Sequence, residues 1–367
     1  MKAAVLHQYG GELKIENVDL EEPRKGEVRV KMKAAGVCHS DQHVIDAHLP
    51  LPVPIVLGHE GAGIVDAVGE GVTSVKVGDR VVLNWVPSCK NCYYCRVGRP
   101  DMCEEAAKIS AMGTMLDGTT RFSINGKKVH QFPLTGTFSE YTVVPESSAI
   151  PFDNDIPFEE AALIGCCVIT GVGAATKTAK VEPGSTVAVI GSGGVGFNVI
   201  QGAKLAGAKQ IIAIDILDDK LEKTKTFGAT HTVNAKETDP VREVQKLTGG
   251  LGVDYAFEVI GRPETMEQAY MMTRKTGKTI VVGVSAPNAK LSVNAFSLPY
   301  QSKIITGSWL GQGNPPVDYP KLLDLNDAGK LKIKPLISKI YSLEQINEAF
   351  EDLRSGKNIR GVIRFDE

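Results

Sequence analysis

Four cysteines fall between positions 89 and 103 in the pattern C-x2-C-x2-C-x7-C: Cys89, Cys92, Cys95 and Cys103. Structural zinc sites hold the ion tetrahedrally with four N or S ligands, and closely spaced thiolates supply such a set. A closed four-thiolate site has no open position, so a metal here would be structural and not catalytic. The intervening residues, Lys90, Asn91, Tyr93, Tyr94, Arg96, Val97, Gly98, Arg99 and Pro100, read as a polar, turn-rich lobe. Disulfides and an iron–sulfur cluster are the two other chemistries such a run serves. Disulfides need an oxidising compartment, and nothing in the sequence points to one.

A second group of metal-capable side chains is dispersed. Cys38-His39-Ser40-Asp41-Gln42-His43 packs a thiol, two imidazoles, a hydroxyl and an acid into one short segment. Gly58-His59-Glu60-Gly61-Ala62-Gly63 sets a His–Glu pair among glycines, and Gly165-Cys166-Cys167 adds two thiols. A catalytic zinc takes three protein ligands and keeps one position open. Cys38, His59 and Cys166 could supply a Cys₂His set of that kind. Singly, each is an ordinary packed or surface residue; their joint occurrence is what carries weight.

Gly191-Ser192-Gly193-Gly194-Val195-Gly196 matches G-x-G-x-x-G. The motif is weak alone. Here it follows an apolar run, opens a helical pattern and is trailed by an acid, Asp215, at the end of the next run, which is the context that dinucleotide binding requires. Gly191 permits a tight turn, Gly193 lets a pyrophosphate approach the backbone, and Gly196 lets helix and strand pack closely. Helix N-terminal N–H groups then face the phosphates. Asp215 can accept from both ribose hydroxyls and would repel a 2′-phosphate, which favours NAD over NADP.

These residues need a scaffold. The chain has 367 residues, a length that suggests two domains. Hydrophobic content of 43%, charged content of 23% and a net charge of −2 describe an ordinary globular chain without the electrostatic footprint of a nucleic-acid binder. The opening MKAAVLHQYGGELKIENVDL has no apolar core long enough for a signal peptide, and no apolar run reaches membrane-spanning length. The expectation is a cytoplasmic protein with no membrane partner. Seven cysteines are better explained by metal ligation than by disulfides.

The first ~150 residues read as short strands broken by glycine and proline, among them Glu27–Lys33, Gly63–Val68 and Arg80–Leu83. Beyond Pro183 apolar runs alternate with helical patterns. Strands are expected at Thr186–Gly191, Gln210–Asp215, Val253–Val259 and Lys278–Val284, with helices over Val195–Ala208 and Asp218–Phe227. That alternation implies a parallel sheet with helices on both faces. Ser342 and Gln345 form a capping box ahead of a helix through Leu353, Gly356 stops it, and Gly361–Phe365 is a last strand.

Taken together, C-H-S-D-Q-H, G-H-E-G-A-G, the four-cysteine lobe, G-C-x-x-x-T-G and G-S-G-G-V-G make the chain resemble the zinc-dependent medium-chain alcohol dehydrogenases from end to end. The resemblance implies an α/β protein: a β-rich GroES-like catalytic domain over 1–167 carrying the lobe at 89–103, a Rossmann NAD-binding domain with a doubly wound parallel sheet over 168–309, and a return to the catalytic domain over 310–367. It assigns Cys38, His59 and Cys166 to a catalytic zinc, with Asp41 and Glu60 orienting and tuning the ligands. Two zincs and one NAD per chain are implied. Ser40 matches the hydroxyl nearest the bound alcohol and His43 the outer end of a proton relay. His39 matches a basic position near the pyrophosphate, Thr170 and Val195 match residues around nicotinamide, Lys220 a contact near the adenosine ribose, and Arg360 a pyrophosphate contact from the tail. The long stretch Glu104–Gly136 is closest to the dimeric branch, so a homodimer is expected, with a homotetramer as the other arrangement.

Two departures stand out. The family usually has glycine where Cys167 stands, which makes Cys167 a competing ligand by type. Trp85 occupies a position that lines the substrate pocket in relatives, though a Trp is also ordinary core. With Leu49, Phe132, Val282 and Val284 it forms a set of apolar pocket candidates. The expected reaction is reversible oxidation of a primary aliphatic or aromatic alcohol to its aldehyde. The proton leaves through Ser40, a ribose hydroxyl and His43, and hydride goes to NAD. Alternatives are a nicotinoprotein that keeps NAD(H) bound, a thiol-dependent formaldehyde dehydrogenase, and a non-catalytic zinc protein; the balanced charge and complete second site argue against the last. In Glu104-Glu105-Ala106-Ala107-Lys108 two acids stand where glutathione-adduct enzymes place an arginine, which argues against such an adduct as substrate.

Overall fold

In the computed structural model, residues 1–366 are described. They divide into two compact units. One comprises Met1–Cys166, Asn314–Gly329 and the chain from Ile333 onward; the other comprises Cys167–Gly313 and Lys330–Lys332.

The first unit is built on two sheets. The larger has seven strands, in the order Ala149–Phe152, Arg80–Leu83, Glu60–Val68, Glu27–Val37, Arg360–Arg364 and Ile337–Tyr341, with Tyr141–Pro145 also paired to Glu27–Val37. Its pairs are antiparallel except the last two strands. A six-stranded sheet of shorter strands, including Lys2–Leu6 and Lys14–Asn17, stands beside it. Glu27–Val37 alternates buried and half-buried positions over its first half, the period-2 signal of a strand with one face on a core. That face sends Val28, Val30 and Met32 into a cluster with Val65, Leu83, Phe138, Phe350 and Ile363. Register, more than packing, decides which segments become neighbours at the strand ends. Gly36 pairs with Glu60 and Val37 with Gly361, so three chain segments far apart in sequence meet at one end of the sheet.

The second unit has a six-stranded, wholly parallel sheet in the order His231–Asn234, Gln210–Asp215, Thr186–Ile190, Val253–Glu258, Thr273–Val281 and Ile304–Gly307. Thr186–Ile190 is buried along its whole length, as a central strand covered on both faces must be. Strand order reverses beside it, which makes its carboxyl end the switch point where ligands of doubly wound sheets bind.

Strands Arg80–Leu83 and Gln210–Asp215 and the helix Asp218–Phe227 lie where the sequence places them. The tail agrees with its capping signal: Ser342 N–H donates to Gln345 Oε1 at 3.1 Å ahead of the helix Ile346–Arg354. One expectation needs correction. The strand expected over Lys278–Val284 runs Thr273–Val281. Its first half carries Arg274-Lys275-Thr276-Gly277, which reads as a turn and contains Thr276 at φ 62°; its pairing with Val253–Glu258 shifts register there. A helical run over Phe158–Ala179 is long and apolar enough to span a membrane by length and composition. Small and polar residues (Gly165, Thr170, Gly171, Gly173, Thr176 and Lys177) interrupt its apolar sequence. It is largely buried, as a core helix is.

Arg121 is the bulkiest polar side chain to be fully enclosed. It binds Glu27 at 2.8 and 2.5 Å and Asp117 at 2.8 Å, fastening the stretch after the cysteine lobe to the sheet. Removing one partner of a buried ion pair costs ~3–5 kcal/mol, whereas an apolar replacement of both is far milder. Arg121→Met should therefore lower the urea midpoint strongly, and R121M/E27L should recover most of the loss. A double variant no more stable than R121M would show that the pair is not what fastens this stretch.

Candidate functional site

Cys38 comes directly after Glu27–Val37 and is the N-cap of the short helix His39–Ile45, in extended conformation at φ −124°, ψ 153°. Glu60 begins the adjacent strand and His59 precedes it. Gly58 has φ +97°, and a Cβ there would strike Thr137 and Phe138, so only glycine lets the chain deliver His59 inward. Cys166 sits in a π-helical segment, Ile164–Val168, the kind of bulge that re-aims side chains at functional sites.

These elements bring together what the sequence scatters. One ligand atom each from Cys38, His59, Glu60 and Cys166 lies within 4.8 Å of the others, and all four residues are buried. Asp41 is fully buried; its Oδ1 accepts from Gly58 N–H at 2.9 Å and from His59 Nδ1 at 3.1 Å. That bond places the ring proton on Nδ1 and turns Nε2 into a lone-pair donor. His59 Nε2 is buried and makes no hydrogen bond. A buried imidazole lone pair crowded against two thiols is costly in a folded core unless a cation takes the lone pairs, and two thiols with one imidazole suit zinc. At Cys38 the electrostatics agree in sign. The Cys166 hydrogen bond, against the cost of burial, pulls the Cys38 thiol well below the ordinary cysteine range, with Arg360 and His59 assisting. Burial pushes Glu60 up to about 7, with Arg360 opposing.

Arg360, expected at a pyrophosphate, is buried in an ion pair with Glu60. Cys167 is buried with its Sγ 4.0 Å from Asn198 Nδ2 and is not in the metal-capable group, which contains its neighbour Cys166. Ser40 Oγ lies 3.8 Å from Cys38 Sγ. His39 is the exposed first residue of its helix, and His43, on the same helix, is half-buried. Burial first, and then the neighbouring His48, lower the His43 pKa from its ordinary value. Phe132 and Trp85 stand edge-on to the His59 ring at 5.6 and 5.9 Å. Leu49 is 40% exposed and contributes no buried wall; in the second unit Val282 is buried and Val284 is 46% exposed.

The lobe also closes on itself. The sulfurs of Cys89, Cys92, Cys95 and Cys103 all lie within 4.8 Å of one another, with Cys89 and Cys95 at 3.9 Å. Zn–S bonds of ~2.3 Å in a tetrahedron set sulfurs ~3.8 Å apart. Backbone N–H groups of Cys92 and Cys89 donate to Cys89 Sγ and Cys103 Sγ at 3.2 and 3.4 Å, as thiolates require. Backbone donors from Cys95 and Glu104 lower the Cys92 thiol to about 6, while burial raises Cys103 to about 12.

In the second unit Gly191 has φ +103°, Gly193 is the extended N-cap of the helix Gly194–Leu205, and a Cβ at Gly193 would meet nothing within 4 Å. At Gly196 a Cβ would collide with the Gly191 carbonyl, the close helix–strand contact the motif anticipates. Asp215 accepts from Ser192 N–H at 2.6 Å and from Ile216 and Leu217 N–H at 2.8 and 3.1 Å, which tethers the acid to the glycine turn. Gly171 packs on the backbone at Val195 and on Asn198, so the half-buried Thr170 and Val195 lie on touching segments; Lys220 is half-buried on Asp218–Phe227. Sequence reasoning missed Glu258. Its Oε1 accepts from Ile260 and Gly261 N–H at 2.9 and 2.7 Å and from Thr265 Oγ1 at 2.7 Å, pinning the loop beyond its strand. The acid at the end of an apolar strand was the available signal.

Residues 24–154 match the alcohol dehydrogenase GroES-like domain family and residues 194–328 the zinc-binding dehydrogenase family. Among solved structures, an alcohol dehydrogenase zinc-binding domain protein from Burkholderia ambifaria is 35% identical with TM-score 0.95, covering 100% of this chain and 99% of its own. A benzyl alcohol dehydrogenase from Acinetobacter calcoaceticus is 34% identical with TM-score 0.94 over 100% and 99% of the two chains. A structure assigned as a zinc-binding dehydrogenase from Sinorhizobium meliloti 1021, bound to NADP, is 25% identical with TM-score 0.82 over 99% of each chain.

The two thiol neighbours separate cleanly by experiment. Cys166→Ser should remove one metal equivalent per chain by elemental analysis with the fold retained, and Cys167→Ser should remove none. Cys92→Ser should also cost one equivalent but lower the melting temperature, since a structural zinc contributes folding energy. Loss of metal from Cys167→Ser with none lost from Cys166→Ser would reverse the assignment.

Proposed function

The chain belongs to the zinc-dependent medium-chain alcohol dehydrogenase family, and on that premise we propose that it interconverts primary alcohols with an apolar body, aromatic ones above all, and their aldehydes, with NAD as hydride acceptor. The observation that carries this reading is the buried group of Cys38, His59 and Cys166, whose His59 Nε2 lacks a hydrogen-bond partner and whose ring is flanked by Phe132 and Trp85. Those three residues would hold the catalytic zinc, and Cys89, Cys92, Cys95 and Cys103 a structural one. Zinc, when bound, supplies Lewis acidity that makes an alcohol hydroxyl easier to deprotonate.

This chain's own groups account for the rest. Asp41 fixes the His59 tautomer. Ser40, beside Cys38, would take the hydroxyl proton, and His43 would pass it to solvent. Phe132 and Trp85 favour a flat apolar body, and each buried methylene adds only ~1 kcal/mol, so selectivity is broad. Glu104 and Glu105, both exposed, would repel the carboxylates of a glutathione adduct. Asp215 would accept from the ribose hydroxyls and repel a 2′-phosphate, Lys220 would lie near the adenosine ribose, and Gly193 leaves room for the pyrophosphate. A homodimer is our further proposal: Ile304–Gly307 is an edge strand, and Phe296, Tyr300 and Ile304 near it are exposed. A thiol-ligated metal pair suits a reducing compartment, hence the cytoplasm.

Values of kcat/KM for ethanol, hexanol, benzyl alcohol and formaldehyde with glutathione test the substrate. Benzyl alcohol should lead, and a lead for the glutathione–formaldehyde mixture would sink the proposal. Run with both coenzymes, the wild type should use NAD and largely refuse NADP, whereas Asp215→Ser should weaken NAD and admit NADP; equal use by the wild type would remove Asp215 as discriminator.

The relay has a pH consequence. A lowered His43 pKa keeps the ring neutral, and able to accept a proton, to lower pH than an ordinary histidine. His43→Gln should slow oxidation most on the acid side, by up to ~10²–10⁴-fold, and less at high pH where hydroxide substitutes. A pH–rate profile superimposable on the wild type's would count against the relay.

A further inference from the structure

We propose that His43 and His48 together chelate a divalent cation of the zinc class, at a third site separate from both cysteine-containing clusters. The two Nδ1 atoms are 3.4 Å apart. Zn–N bonds of ~2.0–2.1 Å in a tetrahedral site hold two nitrogens ~3.4 Å apart. The same separation is long for a hydrogen bond, whose usual range ends near ~3.2 Å. The rings are tilted by 51° with centroids 5.6 Å apart, so they fan away from the point their nitrogens share instead of stacking.

The backbone itself sets up this pair. The helix His39–Ile45 ends at Asp46, and Ala47 adopts a left-handed φ of 58°. Leu49 N–H then donates back to His43 O at 2.9 Å and Ala47 N–H to Val44 O at 3.1 Å, which folds His48 onto the helix end. Left-handed backbone is unfavourable for a non-glycine residue, and the turn keeps it. His48 is exposed, so a hydrated ion reaches the pair from solvent. Asp46 lies close enough to act electrostatically on His43 and adds negative charge; its Oδ1 is held by Gln42 Nε2 at 2.8 Å. Water completes the coordination.

An ion on His43 Nδ1 occupies the lone pair with which that nitrogen would accept a proton. The site would therefore brake turnover, a consequence that rests on the proposed relay, whereas binding itself does not. The test is calorimetric titration of Zn²⁺ into the full-length, fully zinc-loaded protein, with alcohol oxidation measured on the same samples. Wild type should take up one further equivalent per chain. His48→Gln should lack it with an unchanged melting temperature, and His7→Gln, an exposed histidine elsewhere, should keep it. Absence of the further equivalent in wild type, or its retention in His48→Gln, overturns the site. Uptake with parallel loss of rate supports both the site and the relay; uptake at full rate supports the site and removes the relay from it.

Discussion

One buried carboxylate sets the geometry on which the rest depends. Asp41 Oδ1 holds both the backbone N–H of Gly58 and Nδ1 of His59. The first bond fixes the left-handed turn that ends one strand connection; the second fixes which His59 nitrogen carries the proton. A carboxyl group at 0% exposure is tolerable only where hydrogen-bond partners compensate it. Its other oxygen is buried without a hydrogen bond, as His59 Nε2 is. The His59 deficit lies in the group with the two thiols, where a divalent cation would answer it.

A second carboxylate serves the same site from the opposite direction. Glu60 reaches the ligand group, yet Arg360, from the last strand, is bound to it. The sheet register makes this encounter unavoidable, because Glu60 and Gly361 flank Gly36 and Val37 on the central strand. A Cβ at Gly36 would collide with the Glu60 side chain, so the small residue in G-V-C-H is what admits the acid. The guanidinium opposes the rise that burial gives the Glu60 pKa. The ion pair thereby moderates the negative charge gathered around Cys38.

What could be read from the sequence was chiefly local. The Cys89–Cys103 spacing, the glycine turn with its trailing Asp215, and the capping box of Ser342 and Gln345 each carry their geometry within a few residues. Strands such as Arg80–Leu83 declare themselves by β-branched apolar runs. What escaped was non-local or disguised by composition. No spacing announces that Arg360 meets Glu60 or that Arg121 meets Glu27, since such pairs exist only once the register is formed. The helical run at Phe158–Ala179 hides behind its glycines and threonines, which are small because Gly171 and Gly173 press on neighbouring backbone. Strand Thr273–Val281 hides its first half behind charged and turn-prone residues. Cys166 and Cys167 are chemically identical, and only the folded helix shows which of them joins Cys38 and His59.

The central claim is that Cys38, His59 and Cys166 form a metal site with a position open to alcohol. The most direct measurement is the electronic absorption of protein carrying Co²⁺ at this site, with and without benzyl alcohol. The account predicts intense tetrahedral bands with thiolate charge-transfer absorption that shifts when alcohol is added and weakens in Cys38→Ser. A weak, six-coordinate, oxygen-ligated spectrum, or a thiolate spectrum indifferent to alcohol, would contradict it.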